Sequence, residues 1–156
     1  MKAKYLDVND DPSQDLLSSR SDYPGVIGHG IDIVETKGVQ KLIAQLSESP
    51  EMGCFTANER NVCELDAKRI EYFAGRLAAK QAVFKALNKA LLNENASWLD
   101  IEIKRLSTGE PSVVLHDNFL KIAMDLGVTK WLLSISHESS YAAASAIALG
   151  RCSQKS

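Results

Sequence analysis

Between residues 26 and 34 the chain reads Val-Ile-Gly-His-Gly-Ile-Asp-Ile-Val. This run is apolar, β-branched and broken by two glycines, which predicts a buried strand with close backbone approaches. Over 37–48, Val39, Leu42, Ile43 and Leu46 recur at helical spacing. Thr56, followed three residues later by Glu59, has the form of a capping box that opens a second helix. The longest helical pattern covers about 67–92, where Ile70, Phe73, Leu77, Phe84, Leu87 and Leu91 mark one stripe. The slot left open in that stripe holds Lys80, with Gln81 beside it. Apolar stripes rarely admit an unpartnered lysine. From the pattern alone, either the stem lies along the apolar surface and the ammonium reaches solvent, or a polar site is built into the packed helix.

Alternation over 99–106 and the run 111–115, joined by Ser107-Thr108-Gly109-Glu110, predict a hairpin. Residues 117–126 read as a short amphipathic helix stopped by Gly127. The runs 131–137 and 141–149 read as two final strands. The second is alanine-rich and suits a helix by propensity, but the short connections favour a hairpin. The order β-α-α-α-β-β-α-β-β is α+β rather than a βαβ repeat. Residues 1–24 form a polar lead-in in which Asp7, Asp10, Asp11, Asp15 and Asp22 outweigh Lys2, Lys4 and Arg20. The expected organisation is a flexible extension over 1–24, one domain over 25–150 and a tail over 151–156.

The 156 residues are 45% hydrophobic and 24% charged, the composition of an ordinary soluble domain. Eighteen Lys and Arg against 20 Asp and Glu leave a net charge of -2, which argues against nucleic-acid binding through bulk positive charge. No stretch approaches the roughly 18 apolar residues of a membrane helix, and the first residues lack the apolar core of a secretory signal. Cys54, Cys63 and Cys152 form no CxxC pair, so zinc and dithiol chemistry have no support and a reduced, cytoplasmic protein is expected.

Asp32 stands inside the run that reads as buried strand. A buried carboxylate needs a metal, a cation or hydrogen-bond donors, so the choice lies between a magnesium ligand and a simple pairing with Lys or Arg. Gln81 and Lys85, four residues apart, share a helix face preceded by Arg76. Such a face suits a magnesium pyrophosphate or is merely solvated. His137 closes a strand, either as a hydrogen-bonded structural residue or as a phosphate contact. No HExxH, GxSxG or Walker motif is present.

Taken together, GHGIDIVE (28–35), FAGRLAAKQAVFKAL (73–87) and LLSISHESSYAAASAIAL (132–149) resemble the holo-acyl-carrier-protein synthases. These form the small, single-unit branch of the 4′-phosphopantetheinyl transferases. The resemblance covers about 26–149. It implies an α+β fold with the long motif helix packed on a small, mostly antiparallel sheet. It also implies transfer of phosphopantetheine from coenzyme A to a serine of an apo acyl carrier protein, release of 3′,5′-ADP, a Mg²⁺ requirement and a homotrimer with sites between protomers. By position, it implies that Asp32 and Gln81 ligate the metal and that Lys85 contacts the phosphates and joins them in catalysis. It assigns Arg76, Lys80 and His137, with Lys85, to coenzyme A.

Three departures stand out. Gln81 replaces the usual glutamate, so the second ligand is neutral. A Gly-Thr-Gly turn is missing after the motif helix, where Asn88-Lys89-Ala90-Leu91-Leu92 lets the helix continue. On the first helix Lys37 and Lys41 are present, but Gly38 stands where an arginine is common. The competing expectation is a weakened relative that binds coenzyme A or a carrier protein without efficient transfer.

Overall fold

The computed structural model describes residues 25–48, 53–61, 66–87 and 96–151. The expectations for 1–24, for Asn88–Leu92 and for the tail beyond Arg151 lie outside the described residues. Strand β1 (Gly25–Glu35) is followed by helices α1 (Thr36–Glu48), α2 (Ala57–Arg60) and α3 (Asp66–Ala86). A 3-10 turn (Trp98–Asp100) leads into β2 (Ile101–Arg105) and β3 (Pro111–Leu115). Helix α4 (Asp117–Asp125) and strands β4 (Val128–His137) and β5 (Tyr141–Gly150) complete the order. The architecture is α+β as expected. The capping box at Thr56 is formed, but it opens only a four-residue helix.

Among the described residues there are two antiparallel sheets. One has the order β1-β5-β4 and the other is the hairpin β2-β3. In the central strand β5, Ala142, Ala144, Ala146 and Ala148 are all buried on one face. Alanine's helix propensity is overridden because this strand is paired on both edges and needs small side chains under α3. Helix α3 answers with Ala74, Ala78, Ala79, Ala82 and Ala86, all buried. The closest approach falls on β1. A Cβ added at Gly28 would lie 1.9 Å from the carbonyl oxygen of Ala86, and one at Gly30 1.9 Å from that of Ala82. Only glycine fits where two backbones come this close.

The main core joins α3 to Ile101, Ile103, Phe119 and Ile122. A second cluster places Val39, Phe55, Phe73, Ala74 and Ala142 between α1, α3 and the sheet. Buried Thr36 ties the junction of β1 and α1 to the β4–β5 turn. Its N–H donates to the Ser140 carbonyl at 2.9 Å, and its hydroxyl donates to the Ser139 carbonyl at 2.8 Å. Glu138 closes that turn by accepting the N–H groups of Ser140 and Tyr141, each at 3.0 Å.

Candidate active site

Strand alternation puts Asp32 on the same face as Gly28 and Gly30, towards α3. Because the glycines let α3 sit close, Lys85 reaches the strand. Its Nζ lies 3.0 Å from Asp32 Oδ1 and donates to the Ile31 carbonyl at 3.1 Å. The Ile33 N–H also donates to Asp32 Oδ1, at 3.0 Å. The two side chains are 43% and 19% exposed, so the pair opens to solvent rather than closing into the core. Gln81, half-buried, lies one turn before Lys85 on α3. Asp32 and Lys85 thus meet at the β1–α3 seam, with Gln81 one turn away on α3.

Arg76 and His137 belong to a neighbouring cleft of about 360 Å³, lined also by Lys68, Glu71, Tyr72 and Arg105. Gly75 lets the end of β4 approach α3, since a Cβ there would touch Ile135 at 3.0 Å. The Arg76 guanidinium lies 3.8 Å from the centre of the Tyr72 ring. Its Nε is buried without a hydrogen-bond partner. Burial pushes the guanidinium below its ordinary value while Tyr72 opposes the shift, and the group remains cationic. His137 Nδ1 lies 3.2 Å from Glu71 Oε2. His137 also borders a shallow apolar depression shared with Ile33, next to Asp32.

Lys80 is corrected by the structure. Its ammonium is withdrawn from the solvent-open surface that coenzyme A would have to reach. Its side chain is 0% exposed and its Nζ lies 2.8 Å from Glu59 Oε2. The ammonium also donates to the carbonyls of Cys54 at 2.6 Å and Trp98 at 3.0 Å. Three protons meet three protein oxygens, which leaves none for a ligand. Burial pushes the ammonium below its ordinary value, against the pull of Glu59.

Glu35, a possible replacement for the missing acid at 81, lies in a separate cleft of about 620 Å³ with Thr36, Glu71 and Tyr141. Sequence reasoning missed Glu71, Tyr72, Lys68 and Arg105 as neighbours of His137. The only signal for Lys68, Glu71 and Tyr72 was spacing on α3, where 68, 71, 72, 75 and 76 share one face; Arg105, at the end of β2, gave none. It also missed the second task of Glu59, which the capping pattern concealed.

Residues 28–146 match the family model of the 4′-phosphopantetheinyl transferase superfamily. The chain belongs to this superfamily. A holo-[acyl-carrier-protein] synthase of Alkaliphilus oremlandii is 38% identical over 78% of this chain and 98% of its own length, which places the chain in the holo-acyl-carrier-protein synthase branch. The transferase from Bacillus anthracis, solved with CoA (3′,5′-ADP), is 30% identical, covers 81% of this chain and 98% of its own, and superposes with a TM-score of 0.64. The Chronobacterium ammoniagenes ACPS–CoA complex is 26% identical over 80% of this chain and 97% of its own, with a TM-score of 0.68. Both agree with the α+β fold of this transferase. Among its described residues no helix is long and apolar enough to cross a membrane.

Proposed function

We propose that this transferase moves the 4′-phosphopantetheine group of coenzyme A onto a serine hydroxyl of an apo acyl carrier protein, releases 3′,5′-ADP and requires Mg²⁺. The reading is carried by the Lys85–Asp32 contact, in which two motif residues 53 positions apart meet at 3.0 Å. In the reaction the serine oxygen bonds to the phosphorus that bears pantetheine while its proton passes to water, and the bond from that phosphorus to the bridging oxygen breaks, its electron pair leaving on 3′,5′-ADP. Little covalent assistance is needed; in-line positioning and neutralisation of charge do most of the work. Lys85 supplies a fixed cation for the leaving oxygens, and Asp32 holds it in place.

The residues suit Mg²⁺ in one form. Among the described residues no group of three His, Cys, Asp or Glu could hold a metal. Asp32 would be the one carboxylate ligand and Gln81 a neutral amide ligand, with phosphate and water oxygens supplying the rest. When bound, the ion supplies further charge neutralisation at the pyrophosphate. The cleft of Arg76 and His137 would take the nucleotide end of coenzyme A, where Lys68 and Arg105 add positive charge. Exposed Lys37 and Lys41 on α1 suit an acidic carrier protein. A cytoplasmic setting is part of this reading.

A homotrimer completes the proposal. The sheet face turned away from α3 aligns Ile31 with Ser145 and Ser134, and Ile33 with Ala143 and Ser136. Ile31, Ile33 and Leu132 on this face are 58%, 63% and 45% exposed. An uncovered apolar face of this kind suits association between copies. Light scattering should give three chains per particle.

The deciding experiment is the intact mass of an apo acyl carrier protein after incubation with the transferase, coenzyme A and Mg²⁺. A phosphopantetheine adduct that disappears with EDTA is expected. No adduct, with coenzyme A still raising the melting temperature, would favour a weakened relative.

A further inference from the structure

Glu71 is an acid among bases. The basic side chains lining its cleft are Lys68, Arg76, Arg105 and His137, and a carboxylate there repels any anionic ligand. Stability does not explain it: the side chains of His137 and Glu71 are 46% and 30% exposed, and such pairs contribute less than about 1 kcal/mol. Imidazole chemistry offers a different account. An ionised carboxylate only accepts hydrogen bonds, so the 3.2 Å approach of Nδ1 to Glu71 Oε2 favours the tautomer that carries its proton on Nδ1. The Cδ2 edge of the ring packs over Gly75, 4.0 Å from where a Cβ would stand. With Nδ1 committed, Nε2 is the one ring atom left for hydrogen bonding.

We infer that Glu71 is a positioning residue: it fixes the tautomer and ring orientation of His137 so that Nε2 serves the anionic nucleotide end of the donor. In the complex Nδ1 stays against Glu71 and Nε2 is turned towards a phosphate oxygen. The identity of the ligand rests on the transferase reading. The role of Glu71 towards His137 rests on the geometry alone.

The test has one arm in the free protein and one in turnover. Long-range proton–nitrogen NMR of the three histidines, with His137 assigned through His137→Asn, reports the tautomer without any ligand. The wild type should show the Nδ1–H form, Glu71→Gln should keep it because an amide oxygen still accepts, and Glu71→Ala should lose it. In turnover, Glu71→Ala should raise the KM for coenzyme A about three- to tenfold with kcat within about twofold, and Glu71→Gln should stay near wild type. A carboxylate that merely repels anions predicts the opposite sign, a lower KM in both variants, and that result overturns the inference. An unchanged tautomer in Glu71→Ala overturns it as well. Absence of transferase activity in the wild type would count against the transferase reading, while the NMR arm would still decide the role of Glu71.

Discussion

The ammonium of Lys80 and the carboxylate of Glu59 meet 2.8 Å apart in the interior, their side chains 0% and 1% exposed. Glu59 does more than pair. Its Oε2 accepts the Thr56 N–H and its Oε1 the Ile103 N–H, each at 2.8 Å. The pair therefore ties α2, α3 and β2 together. Lys80→Ala strips a buried carboxylate of its partner and orphans two carbonyls, and should cost about 3–5 kcal/mol in urea unfolding. The KM for coenzyme A of the folded fraction should be unchanged. A stable Lys80→Met with a raised KM would instead show that Lys80 contacts the ligand.

Asp32 belongs to the opposite case, a solvent-open pair. Asp32→Ala should leave stability within about 1 kcal/mol, read by thermal unfolding. The same variant should lower transfer by roughly 10²-fold or more, because Lys85 loses its anchor and the site its one carboxylate. Activity near that of the wild type would remove Asp32 from the catalytic set.

At position 81 the amide carries no charge. Gln81→Glu should lower the Mg²⁺ concentration for half-maximal transfer by about tenfold, with little change in the KM for carrier protein. An unaltered Mg²⁺ dependence would show that the ligands already present suffice.

The carboxyls of Asp100 and Glu102, two residues apart, are shifted in opposite directions. Burial resists ionisation of Glu102, but Asn58, His116 and Lys104 together hold it below its ordinary value of 4.5. Asn58 Nδ2 donates to it at 3.0 Å and His116 Nε2 lies 3.2 Å away. A depressed carboxylate stabilises the fold above its unfolded value and loses that contribution as pH falls through the folded one. Glu102→Gln should thus lower the urea midpoint at neutral pH, and the gap to wild type should close below 4.5. Burial and the nearby Asp117 raise Asp100 above 3.8. A raised carboxylate opposes folding once ionised, so Asp100→Asn should raise the midpoint at neutral pH and lose that advantage in acid.

Local periodicity made β1, β3 and the β4–β5 hairpin legible, since their alternation and turns are short-range properties. It gave α3 its length to within a turn at the described end. Partners across elements were not legible. The cap pattern identified Glu59 as an N3 residue but could not say that Lys80 lies over it, because that contact depends on how α2 crosses α3. Glu71 and His137 are separated by 66 positions and meet only because Gly75 lets β4 close on α3. The division into two sheets, and the start of β4 three residues before the apolar run, were likewise products of pairing. Asp32, Gln81 and Lys85 were chosen through family motifs, since helix and strand patterns alone left each with a bland alternative.

The backbone contact of Gly28 and Gly30 with Ala86 and Ala82 acts as a ruler. It sets how far the stem of Lys85 must extend to touch Asp32, and it does so through side chains that are missing. A single methyl added at either glycine would lever α3 outward and draw the ammonium from the carboxylate. The chemistry of this transferase is therefore vulnerable at two positions that bear no functional group.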